Sequence, residues 1–442
     1  MATRFWVGGT GTWDTTTTTH WAATSGGAGG QTVPTSADSV TFDASSGTGT
    51  CTTATGATCS TLTISGNTGL TLGAAFTAAG AVTLTSGSGL NLATFTFTCT
   101  TFNSNNANSR VLAFGTGNII CTGSGTVFNI ATTTFLTLTG TPIVNLTYAG
   151  SVAVIVSTGA TLGISDQISV NITAGTYAFS TGANSFFKNL NFTGFSGSIA
   201  NGLRSIYGNL TIPATTTITS GTSPITFAGT SGTQIINTNA VTWDTPIAFN
   251  GVGGTFQLGS ALTMGATNGT ITLSNGTIDL NGFTFLCISF LTLAGTKSIL
   301  FNGGTLNCTA STINAFNNLS NFANFTTVAG VGTGTITMTG ATAKTFQGGG
   351  STFNCTLNQG GAGALTITGA NTFTNITNTV TPCTVTFPAS VINNFSNFNL
   401  NGTAGNLVTL NSSTSGTQAT IHYTGTGAIV CDYLSIQDSN AT

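Results

Sequence analysis

Charge is the scarcest property of this sequence. Of its 442 residues, six are Lys or Arg and eight are Asp, Glu is absent, and His occurs twice. An ordinary soluble domain carries about 25% charged residues. Phosphate binding needs clustered Lys and Arg, whereas the six basic residues here are scattered through a chain of formal net charge −2. We therefore expect no nucleic-acid partner.

Long apolar runs are also absent. Thr, Ser, Asn or Gly interrupts every stretch before it reaches the roughly 18 residues of a membrane-spanning helix, so we expect no membrane insertion. The N-terminal MATRFWVGGTGTWD lacks the apolar segment of a secretory signal. This favours a chain that stays where it is made until lysis or assembly, or one that leaves by a route its N-terminus does not show. Disorder is not expected, since 40% of the residues are hydrophobic.

The pattern of β-strands is abundant. Segments such as STLTISG, AVTLTSG and NLVTLNSS alternate apolar residues with Thr, Ser or Asn, and turns that contain Gly or Asn separate them. This period of two directs one set of side chains inward and the hydroxyl-bearing set outward. Amphipathic helical stretches, capping boxes and Glu–Lys pairs are missing. The sequence predicts an all-β fold.

A long internal repeat selects among the all-β folds. FTFTCTTF (95–102) returns as FTFLCISF (283–290), and the similarity extends over 72–102 and 258–290 with a two-residue adjustment. Strand clusters recur at roughly 20–25 residues, the size of one coil of a β-solenoid. We predict an elongated, parallel β-helix-like solenoid of about 17–20 coils with a tandem duplication. Chance similarity in a Thr/Gly-rich sequence is the alternative to the duplication.

The repeat also predicts which residues form the core. Each coil of a parallel solenoid pairs with the next at about 4.8 Å, so equivalent side chains stack in ladders. We predict an N-terminal Trp-rich cap (1–45), two β-solenoid units (46–240 and 241–430) and a C-terminal segment (431–442). The predicted core-ladder residues are Phe95, Phe97, Cys99, Phe102, Phe283, Phe285, Cys287 and Phe290.

The nine Cys do not form a metal motif. Their spacings are wide and no CxxC occurs, so we expect neither a metal nor a cofactor. Most of them lie in strand-like runs, where a free thiol behaves as a small hydrophobe. Cys51 and Cys59 flank a Gly-containing loop and are the one pair to test for a local disulfide.

The first 45 residues differ in kind from the rest. Three of the four Trp, Trp6, Trp13 and Trp21, lie within sixteen positions. Pro34 and Asp38 follow and lead into the first strand of the solenoid body. A solenoid end exposes unpaired backbone and an open core, so we interpret this segment as an aromatic cap. A sugar-stacking platform made by the three Trp rings is the alternative.

Both ends of the chain carry a resemblance to known proteins. The pattern W-x-G-G-x-G-x-W…W…P-x-x-x-D-x-V-x-F and the closing VCDYLSIQDSNAT (430–442) resemble segments of Thr/Gly-rich β-solenoid proteins found among bacteriophage structural proteins and bacterial surface proteins. The resemblance covers both ends and, loosely, the Thr/Gly-rich middle. It implies a tail fibre, a spike or another surface appendage, commonly trimeric, and it carries no catalytic signature.

Catalytic groups are few. Cleavage of a glycosidic bond usually takes two carboxyl groups about 5–10 Å apart, and the solenoid body offers only Asp166, Asp244 and Asp279. Asp244 and Asp279 are one or two coils apart and could be neighbours. His20 and His422 lack a nucleophile in a recognisable motif. We expect no enzyme, with a polysaccharide depolymerase as the minor alternative.

Together these features favour a non-enzymatic structural protein on the surface of a bacteriophage virion. Its expected partners are further copies of itself, other virion proteins and a host surface glycan. An extracellular bacterial fibre or adhesin at the cell surface is the main alternative. A glycan-degrading tailspike and a binder of ice or crystalline polysaccharide through flat Thr arrays are less favoured.

Overall fold

Successive turns of the chain lie side by side as parallel strands. The computed structural model is all-β and forms a parallel β-solenoid of about 17 turns, with aromatic clusters near the N-terminus, so the predicted fold class is confirmed. It describes residues 2–87, 89–155, 167–181, 185–202, 204–310, 315–318, 325–427, 429 and 431–442. Within these ranges a 3-10 turn, Ala44–Ser46, is capped by Asp43, and Gln167 also has 3-10 conformation. None of the described helical structure has the length and apolar character needed to cross a membrane.

The chain divides into two compact units, Met1–Thr217 and Ile218–Thr442. This division follows the packing of the backbone, whereas the expected boundary between 240 and 241 follows sequence similarity. The tandem duplication therefore stays a prediction.

The described residues form fifty strands. In chain order they are β1 Thr3–Trp6, β2 Gly11–Trp13, β3 Trp21–Ala22, β4 Ser39–Phe42, β5 Gly49–Thr53, β6 Thr58–Cys59, β7 Leu62–Ile64, β8 Thr68–Leu72, β9 Phe76–Ala78, β10 Ala81–Leu84, β11 Leu90–Asn91, β12 Thr96–Cys99, β13 Thr101–Asn103, β14 Arg110–Ala113, β15 Asn118–Cys121, β16 Gly125–Asn129, β17 Leu136–Thr139, β18 Ile143–Leu146, β19 Val152–Ile155, β20 Ser169–Ile172, β21 Ala178–Thr181, β22 Ser185–Phe187, β23 Leu190–Asn191, β24 Ser198–Ile199, β25 Arg204–Ile206, β26 Leu210–Thr211 and β27 Thr217–Ile218. The remaining strands are β28 Ile225–Phe227, β29 Thr233–Asn237, β30 Thr242–Trp243, β31 Ile247–Leu258, β32 Leu262–Met264, β33 Thr270–Asp279, β34 Thr284–Cys287, β35 Ser289–Thr292, β36 Lys297–Leu300, β37 Thr305–Cys308, β38 Phe316–Asn317, β39 Phe325–Val328, β40 Thr335–Met338, β41 Lys344–Gln347, β42 Thr352–Gln359, β43 Leu365–Thr368, β44 Thr372–Asn378, β45 Cys383–Phe387, β46 Ile392–Asn399, β47 Val408–Ser412, β48 Ala419–Tyr423, β49 Leu434–Gln437 and β50 Ser439–Ala441.

In the first unit each coil contributes one strand to each of three sheets. Strands β4, β7, β10, β13 and β16 are consecutive rungs of one sheet, β5, β8, β11, β14 and β17 of the second, and β9, β12, β15 and β18 of the third. These coil-to-coil ladders are parallel, whereas β1 and β3 pair antiparallel. The register is direct, since Val82 pairs with Leu62 on one side and Phe102 on the other.

Alternation within each strand separates the core from the surface. In β7 and β12 every second residue is buried, and the Thr residues between them are half-exposed. Because coils pair in register, each apolar residue lies beside an apolar residue of the next coil. The corners are tight. Gly87 has a φ of 87°, and a Cβ atom there would lie 1.6 Å from the carbonyl oxygen of Gly66, so only glycine fits.

The repeated octapeptide forms core ladders as predicted, except at its first residue. Phe97 and Cys99 are buried, the ring of Phe97 stacks on Phe76 with centroids 5.5 Å apart, and Cys99 pairs with Cys121. Phe102 is also buried, and it stacks on Phe128 at 5.4 Å.

The second unit repeats this arrangement. Phe285, Cys287 and Phe290 are buried, and Cys287 pairs with Cys308. The ring of Phe290 stacks on Phe316 with centroids 5.5 Å apart. Each core ladder thus joins a residue to the next coil of its own unit.

Phe95 and Phe283 differ from the expectation. Both are half-buried and each immediately precedes its strand, β12 or β34. The backbone N–H of Phe95 donates to Leu92 and that of Phe283 to Leu280, so both residues belong to turns. The alternation of buried and exposed side chains begins at the first residue of each strand. Phe95 and Phe283 lie in the turns before their strands, so their rings are not part of the interior ladder.

Phe97 and Phe95 give a matched pair of truncations. We expect Phe97→Ala to lower the free energy of unfolding by about 3–5 kcal/mol, because it leaves a cavity beside Phe76. Phe95→Ala should cost about 1 kcal/mol or less, because its ring is half-exposed. Urea titrations followed by circular dichroism would measure both. Equal losses for the two variants would contradict the assignment of Phe97 to the core ladder.

Candidate functional site

The three N-terminal Trp side chains are buried. Trp6, Trp13 and Trp21 each have 0% exposure. Trp21 meets the other two rings edge to face at about 5 Å, and Trp13 meets Phe76 edge to face at 5.0 Å. The sugar-stacking alternative is therefore wrong for these rings, because no face is open to a ligand. They join the aromatic core, since Phe76 in turn stacks on Phe97.

The other predicted residues of this segment hold its backbone. Pro34 is buried. The Asp38 carboxylate accepts hydrogen bonds from the backbone N–H of Ala2 at 2.8 Å and from the N–H and hydroxyl of Thr35. These bonds, that from Ala2 first, lower the pKa of Asp38 to about 2. Asp38 therefore ties the first residues to the turn before β4.

The carboxylates of the solenoid body have separate partners. Asp244 accepts from the Ser220 hydroxyl at 2.6 Å and from the backbone N–H of Asn268 at 2.8 Å. These bonds, that from Ser220 first, lower the pKa of Asp244. Asp279 is buried at the end of β33. Asp166 lies outside the described residues.

Neutral donors also satisfy the Asp279 carboxylate. It accepts from the Gln257 amide at 2.8 Å, and from the Asn302 amide and the backbone N–H of Asn281, both at 2.9 Å. Each Asp thus joins turns or neighbouring coils through its own set of bonds. The depolymerase alternative gains no support from Asp244 and Asp279.

Neither His is placed for nucleophilic catalysis. The His20 ring stacks on Trp6 with centroids 4.6 Å apart, and its Nδ1 contacts the carbonyl oxygen of Val7. His422 Nδ1 lies 2.9 Å from the Asn394 side-chain oxygen. No group of three or more His, Cys or Asp that could hold a metal ion occurs among the described residues.

Thiols line the interior. All nine Cys are free, eight are buried and Cys431 is half-buried. Cys51 lies in β5 and Cys59 in β6, two strands of different sheets, so the local disulfide is not present. The Sγ atoms of Cys287 and Cys308 lie 4.0 Å apart. Burial raises the pKa of the Cys287 thiol, and it raises that of Cys59 to about 12.

Native thiols should therefore be unreactive. We expect at most Cys431 to react within minutes with an aromatic disulfide reagent at pH 8, and all nine thiols to react in urea, because the thiolate is the nucleophile. Cys431→Ser should remove the native reaction. Mass spectrometry after alkylation would locate the labelled residues. Fast native labelling of Cys287 or Cys308 would contradict the buried arrangement.

Buried cations are the feature that sequence reasoning missed. Four of the six basic side chains lie in the interior, and each begins a strand, β14, β25, β36 or β41. Their burial has a sequence signal, because each precedes a buried apolar residue by two positions, and alternation therefore places it on the same inward face. The four residues are Arg110, Arg204, Lys297 and Lys344.

Arg110 has a bond for each of its five N–H donors. Nε donates to the hydroxyl of Ser104, and Nη1 donates to the carbonyl oxygens of Asn108 and Thr134, both at 3.0 Å. Nη2 donates to the carbonyl oxygens of Ser104 and Thr132. Neutral backbone oxygens thus replace a counterion, and the guanidinium joins the corners of adjacent coils.

Lys344 has a similar backbone cage. Its ammonium group donates to the carbonyl oxygens of Gly340, Gly361 and Gly363. Burial lowers the pKa of Lys344 to about 8, and a charge on Cys383 would oppose this effect. The cage satisfies all three donors only while Lys344 is protonated.

The lowered pKa of Lys344 predicts a pH dependence of stability. An unfolded lysine has a pKa of about 10.4, so between about pH 8 and 10 the unfolded chain binds more protons at this residue than the folded chain. The contribution of Lys344 to the free energy of unfolding therefore rises with pH across this window. Relative to Lys344→Met, the wild-type chain should gain stability between pH 7.5 and 10.

The urea midpoints of the wild type and of Lys344→Met at several pH values would measure this difference in stability. The other titrating groups are the same in both chains, so their contributions cancel. Lys188→Met, which removes an exposed lysine, is the matched control and should run parallel to the wild type. Parallel curves for Lys344→Met as well would refute the burial of a titrating ammonium group.

An amide-lined groove lies on the outer face of the first unit. It has a volume of about 280 Å³ and runs across four coils. Asn171 donates to Asn145 at 2.8 Å, and Asn189 donates to the Ser169 hydroxyl at 2.9 Å. Its lining residues are Ile143, Ser169, Asn171, Asn189, Leu190, Asn191, Asn209 and Thr211.

The last coil of the second unit carries an apolar cavity of about 510 Å³. Phe395, Phe398 and Leu410 form its floor, and Ile436 at its rim is 59% exposed. Its lining is mostly apolar, with Tyr423, Cys431, Ser439 and Thr442 as its polar residues. Of the surfaces described, the amide-lined groove is the better candidate for a binding site.

Comparisons with known proteins give no relative from which a function could be transferred. No protein-family model, no curated protein and no solved structure matches this chain.

Proposed function

We propose that this chain is a non-enzymatic structural protein of a bacteriophage virion, where it forms a rigid fibre, spike or other surface appendage. The observation that carries the proposal is the direct parallel register of the coils, combined with an outer face of hydroxyl and amide groups. Such a build supplies stiffness and a repeated surface without any catalytic group. The resemblance of both chain ends to β-solenoid proteins of bacteriophages and bacterial surfaces supports a surface appendage, and the likeness of the closing segment (430–442) to phage-encoded proteins favours the virion.

The outer ladders supply lateral stiffness. In β7 and β10, Thr63 lies beside Thr83, and in β18 and β20 the Asn145 and Asn171 amides bond directly. Each outer rung therefore adds side-chain contacts to the backbone hydrogen bonds of the ladder. Strands held in this way open rarely and resist proteases.

The weak charge of the exterior suits packing of copies against each other. With a net charge of −2 over 442 residues, neighbouring copies repel each other little. On this proposal the partners are further copies of the chain and other virion proteins, and the place of action is the virion surface. An extracellular fibre or adhesin built on the same solenoid is the second candidate.

The location of the chain tests the proposal. Quantitative mass spectrometry of purified tailed particles from the source, together with immunogold electron microscopy, should show a constant copy number relative to the capsid protein and label on a surface appendage. Antiserum adsorbed with the pure chain is the control. Immunogold label on free filaments or on cell surfaces would contradict the virion assignment and favour the extracellular fibre.

A further inference from the structure

Two aromatic rings face outward together in the first unit. Phe186 lies between buried Ser185 and Phe187 in β22, and Tyr207 follows buried Ile206 at the end of β25. Their ring centroids are 6.4 Å apart with an angle of 32° between the planes. Both rings are half-exposed, whereas the ring pairs of the core ladders are buried.

The amide-lined groove begins beside this pair. The chain bends after Phe187 and continues through Lys188 to Asn189, which lines the groove. The backbone N–H of Asn209 donates to the Asn189 side-chain oxygen at 2.7 Å, so the groove residues of adjacent coils are held in place. The two rings, at the β22–β25 ladder, and the amides, at the β20–β23–β26 ladder, therefore flank the bend at Lys188 and Asn189.

Lys188, an exposed basic residue, lies between the aromatic pair and the amide-lined groove. Four of the six basic residues are buried, and Arg4 is half-buried and donates to Thr32. Lys188 is the only one that is fully exposed, and it lies in the bend between Phe186 and Asn189. In a protein with so few charges, an exposed ammonium group beside two aromatic rings is a local chemical feature rather than part of a general surface pattern.

We propose that Phe186, Tyr207, Lys188 and the amide-lined groove form a binding site for an acidic polysaccharide. The apolar face of a sugar ring would stack on the two aromatic rings. The fixed Asn side chains present both donors and acceptors to sugar hydroxyl groups. Lys188 would pair with a carboxylate of the same or the next sugar unit. The groove, at about 280 Å³, is close to the smallest ligand pockets, roughly 300 Å³, so it suits one sugar unit of a longer chain.

Other occupants fit these groups less well. A single-stranded nucleic acid would also stack on aromatic rings, but it needs several cations along its backbone, and the site has one. An apolar peptide would leave the amides and the ammonium group unpaired. The site is a property of the purified chain, so it does not depend on whether a virion or an extracellular fibre carries it.

A glycan microarray that carries acidic and neutral bacterial polysaccharides would test the site. We expect the labelled, full-length chain to bind uronate- or sialate-containing polysaccharides and to bind neutral ones weakly. On the acidic glycan bound most tightly, Tyr207→Ala should weaken binding roughly three- to tenfold, the equivalent of one lost aromatic contact. Lys188→Met should weaken binding at low salt and flatten its dependence on ionic strength.

Tyr177→Ala is the matched control, because Tyr177 is 58% exposed in the same unit and outside the site. It should bind as the wild type does, and circular dichroism should confirm that all three variants are folded. Failure to bind any acidic polysaccharide would overturn the proposal, as would binding that Tyr207→Ala and Lys188→Met leave unchanged. Preferential binding of single-stranded DNA would overturn it in favour of a nucleic-acid site.

Discussion

Parallel hydrogen bonding between successive coils is the constraint on which the rest of this structure depends. At about 4.8 Å per coil, a side chain has its counterpart in the next coil as its nearest neighbour, so each position must tolerate a copy of its own chemistry. Apolar rungs gain by this arrangement, whereas like charges would repel. The scarcity of charge follows directly. At two of the interior cations, Arg110 and Lys344, backbone carbonyl groups take the place of counterions.

The fold could be predicted from the sequence because each coil of the solenoid repeats the same pattern of apolar and polar residues. Alternation placed Phe97 and Cys99 in the core correctly, and the spacing from Cys99 to Cys121 is one coil in the structure. Phe95 shows where this reasoning ends. The letters of the octapeptide do not reveal that the strand starts at Thr96, and one residue decides whether a ring lies in the ladder or in the turn before it.

The candidate binding site could not be predicted because it depends on register. No sequence motif links Phe186 with Tyr207. Their rings meet because β22 pairs with β25, which places Phe186 opposite Ser205. The groove likewise needs Ser169, Asn189 and Asn209 on successive coils, in direct register. Composition offered the Trp cluster as a sugar platform only as the alternative to a cap. The three Trp rings are buried, and the exposed aromatic pair lies elsewhere.

Register is therefore the central claim, and a double-mutant cycle tests it directly. Thr63 and Thr83 lie side by side on the outer face, so Thr63→Asp with Thr83→Lys should show a favourable coupling of about 0.2–1 kcal/mol in the free energy of unfolding, and Asp at both positions an unfavourable one. Thr41 and Asn103 lie in the same file three coils apart, beyond the screening length in physiological salt, and the same charges there should not couple. Coupling at Thr63 and Thr83 that changes sign with the charges is the result this account predicts. No coupling there, or equal coupling at Thr41 and Asn103, would contradict the register of the solenoid.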